Sequence, residues 1–317
     1  MRQHLTEKSI SVVIACYNEE DNIFAMHERL TKTFEALTPN YELIYVDNCS
    51  IDNSERLYEE LSKKDQHVRA ILMSRNFGVS DISFTAGTEY ASGDAVVWID
   101  GDIQDPPELI PQFVEKWLSG YDVVYGIRKK RKAGFFLRWA SKTFYRVLKK
   151  YSYIDMPLYA GDFCLINRKV ADILNKFPER DRFMRGLRAW VGFRHTGIEY
   201  IRSARKAGQA FTSYNLYFRI ARKGLISFSF APLTLISNIA VVAMLISLIM
   251  LIAYPFLAIF YPAPRGLLTI IVLLLLVASA QFFFLAILAE YIARIFEEVK
   301  GRPKYIIRKI LNDHTKQ

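Results

Sequence analysis

Asp100, Asp102 and Gln104 carry oxygen-bearing side chains at alternate positions. They follow the apolar run Ala95-Val96-Val97-Trp98-Ile99 and precede the pair Pro106-Pro107. The apolar run has the composition of a buried parallel strand, and the prolines suit the opening of a helix. Two carboxylates and an amide at a strand end suit a hard cation, Mg²⁺ or Mn²⁺, shared with a diphosphate. A solvated acidic turn is the plainer alternative for a bare D-x-D. The longer run D-x-D-x-Q-D-P-P-E behind a buried strand is far more specific.

The elements that must position this motif are legible upstream of it. Apolar strands are predicted over 9–15, 41–46, 68–73, 95–99 and 123–125, alternating with helices over 19–37, 54–63, 80–90 and 108–118. Such alternation implies an α/β fold with a mostly parallel sheet covered on both faces, and ligands then bind at the carboxyl ends of the strands. Polar groups gather at four consecutive strand ends. These are Tyr17-Asn18-Glu19, Asp47-Asn48, Ser74-Arg75-Asn76, and the pair Asp100 and Asp102. Each alone is ordinary loop chemistry; together they outline one nucleotide-sized site.

The 317 residues are 51% hydrophobic, unevenly spread. Residues 224–264 and 266–289 carry no charge, and a spanning helix needs roughly 20 apolar residues. Two transmembrane helices are therefore expected near 233–257 and 267–289, parted by the Pro-rich turn around Arg265. Lys and Arg set the orientation. Arg219, Arg222 and Lys223 precede the first span, and six basic residues from Arg294 to Lys309 follow the second. Both termini and the N-terminal domain are then cytoplasmic, in a multi-pass membrane protein. The first apolar run is too short for a signal peptide. Three cysteines without metal-site spacing fit a reducing compartment. A net charge of +10 suits lipid headgroups and a phosphorylated ligand; nucleic acid is not an expected partner of a chain with two spans.

The segments Ser11-Val12-Val13-Ile14-Ala15-Cys16-Tyr17-Asn18-Glu19-Glu20, Asp47-Asn48-Cys49-Ser50 and Ser74-Arg75-Asn76-Phe77-Gly78, with the acidic motif, resemble the family-two glycosyltransferases of GT-A (Rossmann-like) fold. More narrowly the chain is similar to the polyprenyl-phosphate glycosyltransferases, including their bacterial members' ending over 289–305. The family usually has Asp-Asp-Gly-Ser where this chain reads Asp47-Asn48-Cys49-Ser50. It often has Gly-Glu-Ser-Lys-Tyr where this chain reads Gly208-Gln209-Ala210-Phe211-Thr212-Ser213-Tyr214.

The resemblance implies a metal-dependent, inverting transfer of a hexose from a UDP-sugar to undecaprenyl (polyprenyl) phosphate in the bilayer, with glucose the leading sugar. Formamidoarabinose, GlcNAc and mannose are the alternatives. Asp102 and Gln104 are expected as metal ligands, with Asp100 facing the metal or the ribose. Asp47 is expected to meet the uracil, with Tyr17, Glu19 and Arg75 around the nucleotide. Arg128, Arg138 and Ser141 are expected at the acceptor phosphate, joined by Arg202 and Arg205, and Asp162 is expected to face the sugar. Phenylalanines and Trp139 interleave the charges of 128–139, as an interfacial helix needs.

The domain plan is a catalytic domain over 1–215, a juxtamembrane segment over 216–232, the two spans over 233–289 and a basic tail over 290–317. Small residues in the spans, such as Ala278, Ser279 and Ala286, permit association into a homo-oligomer. A processive synthase is disfavoured, because Arg188-Ala189-Trp190 has the wrong spacing for Gln-x-x-Arg-Trp. An inactive membrane tether is disfavoured by the intact acidic motif.

Overall fold

The computed structural model describes residues 4–78, 80–128, 160–202 and 267–313, with scattered positions between 236 and 249. Two compact units divide the chain. One carries the sheet, and the other carries the helix Leu267–Val299.

Seven strands of the sheet come from the first 200 residues. They are β1 (Ile10–Cys16), β2 (Tyr41–Asp47), β3 (Val68–Met73), β4 (Ala95–Asp100), β5 (Val123–Arg128), β6 (Ala160–Asn167) and β7 (His195–Tyr200). An eighth, β8 (Ile307–Leu311), comes from the chain's end, within the stretch expected as a basic tail. Their spatial order is β7-β5-β6-β4-β1-β2-β3-β8. Strand β6 runs antiparallel to β4 and β5, and β8 runs antiparallel to β3; the other pairings are parallel. This is the Rossmann-like, mostly parallel α/β sheet that the alternation predicts.

The central strands form where apolar residues, many of them branched, predominate, because both faces are covered. All seven residues of β1 and all six of β3 are buried. Helix α1 (Ile23–Phe34) buries Ile23, Met26, Leu30 and Phe34, the one-sided stripe of an amphipathic helix. Helices α2 (Ser54–Lys64) and α3 (Ser80–Tyr90) follow β2 and β3. Helix α3 lies so close on β1 that a Cβ at Gly87 would stand 2.2 Å from a Val13 methyl. It is keyed to β4 by the Trp98 indole, which stacks on Phe84 and donates to Thr88 Oγ1 at 2.9 Å. The paired prolines open a short 3₁₀ turn, Pro107–Leu109, which leads into α4 (Ile110–Leu118). Helices α5 (Arg168–Lys176) and α6 (Met184–Trp190) lie between β6 and β7.

In the second unit, α7 (Leu267–Val299) has 33 residues, about 50 Å at the usual rise. Among the described residues it is the one helix long and apolar enough to cross a membrane. It runs on past 289, where the expected span stops, and an i,i+4 pair of Glu290 and Arg294 lies in that extension. The first expected span falls largely outside the described residues; its described positions are helical.

Candidate active site

Register brings the polar strand ends level. Cys16 pairs with Asp47 across β1 and β2, and Ala15 pairs with Asp100 across β1 and β4. The ladder continues one residue further on each side, Asn48 N–H donating to Cys16 O and Gly101 N–H to Ala15 O, both at 2.9 Å. Gly101 is required by close approach, since a Cβ there would stand 2.7 Å from Cys16 Sγ. The loops above are held in unusual backbone. Asn18, Cys49 and Ile103 all have positive φ, from 52° to 62°. For Ile103, a β-branched residue, that is a strained conformation of the kind that clusters at functional sites.

At the end of β2, Asp47 is buried and accepts from Ser50 N at 3.0 Å and from the Ser50 hydroxyl. Burial pushes its carboxyl up from the ordinary aspartate range, and the Ser50 donors partly offset that. Asn48 ties this loop to the next. Its amide donates to Gly78 O at 2.9 Å while its oxygen accepts from Phe77 N at 2.9 Å. Tyr17 is half-buried beside this loop. Glu19 accepts from Asn22 Nδ2 at 2.5 Å, which fixes the approach to α1. Arg75 is exposed and lies over the Phe77 ring at 4.3 Å.

The acidic motif closes around two arginines. Asp105, fully buried, accepts from Arg202 Nε at 3.0 Å, Arg202 Nη2 at 3.3 Å, Arg128 Nη2 at 3.3 Å and the Tyr200 hydroxyl. Arg128 Nε in turn donates to the Tyr200 oxygen at 3.2 Å. Arg202 Nη2 also lies 3.7 Å from Asp100 Oδ2 and 3.5 Å from Asp102 Oδ2. Burial, then the carboxylates of Asp162, Asp105 and Asp102, push the Asp100 carboxyl up to about 8, against the pull of Arg202. Parallel pairing of β5 with β7 sets Arg128 beside Tyr200 and so builds this cluster.

Asp162, on β6, lies in an adjoining group. Arg185 Nε donates to its Oδ1 at 2.5 Å and Arg185 Nη2 pairs with its Oδ2. Burial would raise this carboxyl, but Arg185, Arg128 and Arg188 outweigh it and hold it at about 2. Arg188 is buried, donates to Gly161 O at 3.0 Å and lies over the Tyr125 ring.

The structure thus gathers Asp100, Asp102, Arg128 and Arg202 and sets Asp162 in the next group. Arg138, Ser141 and Arg205 lie outside the described residues. Sequence reasoning missed Asp105, Tyr200, Arg185 and Arg188 as site residues. The signal for Asp105 was its place inside the acidic motif, and for Tyr200 its two-residue spacing from Arg202 on an extended segment.

The donor set fits a hard divalent cation. The Oδ2 atoms of Asp100 and Asp102 converge on a single point, Arg202 Nη2, while Gln104 N–H donates to Asp102 Oδ1 at 3.1 Å and leaves Oδ2 turned inward. Among the described residues no three Asp, Glu, His or Cys side chains stand close enough together to hold a metal ion by themselves. Mg²⁺ ordinarily takes one or two carboxylates and completes its shell with phosphates and water.

Residues 11–174 match the family described as glycosyl transferase family 2. An uncharacterized glycosyltransferase of Bacillus subtilis is 39% identical over 301 residues, covering 94% of this chain and 93% of that protein. The chain belongs to glycosyl transferase family 2. It is therefore a glycosyltransferase. The bactoprenol glucosyl transferase of Shigella phage SfII is 36% identical over 307 residues, covering 95% of this chain and 97% of that one. A solved glucosyl-3-phosphoglycerate synthase of Mycobacterium tuberculosis, with Mn²⁺ and UDP, overlays at a TM-score of 0.45 and 18% identity, over 68% of this chain and 76% of that one. The family match contains Asp47, Asp100, Asp102, Asp105, Arg128 and Asp162 and ends before Arg185, Tyr200 and Arg202. In this family member the basic partners of the acidic motif thus come partly from beyond the shared segment.

Proposed function

We propose that this glycosyltransferase moves a hexose, with glucose from UDP-glucose the leading donor, onto the phosphate of a polyprenyl phosphate. The reaction takes place at the cytoplasmic face of a bacterial inner membrane, with 1–215 catalytic and 233–289 spanning. One observation carries the reading: two arginines, Arg128 and Arg202, share the buried Asp105 beside Asp100 and Asp102. A reaction between two phosphate-bearing substrates needs such a mixture, acids toward a cation and arginines toward anionic oxygens. The full-length likeness to proteins named bactoprenol glucosyl transferase supports the acceptor.

Asp100, Asp102 and Gln104 are the residues that would hold Mg²⁺ or Mn²⁺, whose chemistry there is Lewis-acid stabilisation of the departing diphosphate. Asp47, with Tyr17 beside it, receives the uracil. The nucleophile is a phosphate monoester, whose second pKa is near 6, so it is already anionic at neutral pH. Its oxygen forms a bond to the anomeric carbon from the face opposite UDP. The bond from that carbon to UDP breaks, its electron pair leaving on the β-phosphate, and the configuration inverts. No proton need move. Arg128 and Arg202 offset the repulsion between the two anions. Asp162, held ionised far below neutral pH, accepts hydrogen bonds from the sugar hydroxyls and does not act as a proton store.

The test is a membrane assay that pairs undecaprenyl phosphate with radiolabelled UDP-glucose, UDP-GlcNAc, UDP-formamidoarabinose and GDP-mannose. Label entering the lipid phase from UDP-glucose above the others supports the reading. Label from another sugar alone corrects the donor, and label from none overturns the activity.

A further inference from the structure

The position of Arg202 is informative beyond its charge. Its Nη2 atom lies 3.7, 3.5 and 3.3 Å from the Oδ2 atoms of Asp100, Asp102 and Asp105, so one nitrogen sits among three carboxylate oxygens. Two of those oxygens are the ones the proposed function assigns to a divalent cation. The two cations cannot both hold them closely. Arg202 also has a second hold, since Nε donates to Asp105 Oδ1 at 3.0 Å. With Nη2 on Asp105 Oδ2 at 3.3 Å it makes a two-pronged hold on Asp105, closer than the contacts Nη2 makes with Asp100 and Asp102. Asp105 itself is anchored from two further directions, by Arg128 and by the Tyr200 hydroxyl.

We propose that Arg202 is an exchangeable counter-ion of the acidic motif, competing with the divalent cation for Asp100 and Asp102 and yielding to it while Nε stays tethered to Asp105. The inference rests on the metal assignment made above and adds a role that assignment does not contain. The exchange couples two events. Before the cation arrives, Arg202 neutralises carboxylates that otherwise repel one another. Afterwards the freed Nη atoms are available to an anionic oxygen beside the cation, which is where a diphosphate lies. Arginine suits the task because its planar fork can keep one hydrogen bond while another edge changes partner. A lysine, with a single nitrogen, would have to leave Asp105 and the other two acids together.

The consequence runs against ordinary expectation for a site residue: removing Arg202 should tighten metal binding. Mn²⁺ affinity is measured without nucleotide, by electron paramagnetic resonance of free Mn²⁺, on detergent-purified full-length wild type and R202Q. The variant is expected to bind Mn²⁺ about tenfold more tightly, because a positive charge about 4 Å from a divalent cation opposes it even where screening is strong. With UDP added, the order should reverse, R202Q holding UDP about tenfold less tightly than wild type, the loss of one charge-assisted contact. Equal or weaker Mn²⁺ binding by R202Q overturns the exchange.

A second readout needs no variant. Phenylglyoxal modification of Arg202 in wild type, followed by peptide mass spectrometry, should rise several-fold when Mn²⁺ alone is added and fall again with UDP. Modification indifferent to Mn²⁺ also overturns the exchange, even if R202Q folds poorly. The two readings fail separately. If neither protein binds Mn²⁺, the metal assignment falls and this inference with it. If both bind it equally, only this inference falls.

Discussion

Arg185 and Asp162 meet fork to fork, Nε 2.5 Å from Oδ1 and Nη2 against Oδ2. The pair joins the short helix α6 to strand β6, so a segment beyond the family match fixes an acid within it. Two parallel charge-assisted bonds set direction as well as charge. That direction is what the role proposed for Asp162 toward the sugar requires.

Replacing Arg185 with Gln should therefore lower turnover at least about tenfold while UDP binding stays near wild type, since Asp47 and Asn48 lie elsewhere. The stability effect has a definite sign. Asp162 is held at about 2 against a usual 3.8, so its ionised form contributes about 2 kcal/mol that is fully present above pH 4 and lost as pH falls through 2. R185Q removes that contribution. Its melting temperature should lie below wild type at pH 7, and the gap should narrow toward pH 3. A gap independent of pH would mean that Arg185 stabilises the protein by packing alone.

Asp105 is the acid on which Arg128, Arg202 and Tyr200 all converge. Asp105→Asn leaves two arginines around a neutral amide in a buried place. Breaking such a pair costs about 3–5 kcal/mol when fully buried, and the partly exposed arginines bring the expected loss to about 2 kcal/mol. Turnover should fall about a hundredfold. Tyr200→Phe removes the hydroxyl's two hydrogen bonds, one to Asp105 and one from Arg128 Nε, and at the low end of about 0.5 kcal/mol for each should cost about 1 kcal/mol. Thermal melts and initial rates of the two variants separate these effects; equal behaviour would deny Asp105 its central place.

Asn48 stands where the family usually has an aspartate, and the structure gives the reason it works. Its amide donates to Gly78 O and its oxygen accepts from Phe77 N. A carboxylate can do only the second. Asn48→Asp should destabilise the protein by about 1–3 kcal/mol and weaken UDP binding, measured by calorimetry, because Asp47 next door would gain a like charge. Unchanged UDP affinity would show that the loop tie does not serve the nucleotide.

Much of the fold was legible because its central strands are mostly apolar on both faces. Strands β1 to β4 each hold an apolar run of at least four residues, and α1 carries a clear stripe. The later strands hide for physical reasons. In β6, Gly161 and Asp162 interrupt the pattern. In β7 only Tyr200 is buried outright. In β8, Ile307-Arg308-Lys309-Ile310-Leu311 reads as part of a basic tail, because an edge strand turns charged side chains to solvent.

The same limit applies to the site. Asp100 and Asp102 were visible in their spacing, two residues apart where β4 ends, and both reach Arg202. Asp105 lies in that motif, but its partners Tyr200 and Arg202 are 95 and 97 residues away. Only the pairing of β5 with β7 brings them in. Arg188 read only as part of Arg188-Ala189-Trp190, a misspaced match to another motif, and Arg185 drew no reading; their partners, Gly161 O and Asp162, become apparent only once α6 meets β6.

The edge strand gives a further prediction. Residue 306 accepts from Ser74 N at 2.9 Å, Asn312 donates to Val68 O at 2.8 Å, and Lys304 donates to Phe177 O at 2.6 Å. Deleting 303–317 would strip these bonds and bare the edge of β3, so the truncated protein should melt lower and aggregate on size-exclusion chromatography. Arg308→Ala with Lys309→Ala should do far less, because their pairs with Glu55 and Glu59 are exposed. Equal losses from both variants would make the ion pairs, and not the strand, the fastening.

The most direct measurement of the central claim uses purified full-length protein reconstituted in lipid vesicles with radiolabelled UDP-glucose and Mn²⁺, with and without undecaprenyl phosphate. The account predicts label in the organic phase and equimolar UDP release only when the lipid phosphate is present, both abolished by Asp102→Asn. UDP release that ignores the lipid phosphate, with label left in water or on a growing polymer, would contradict it.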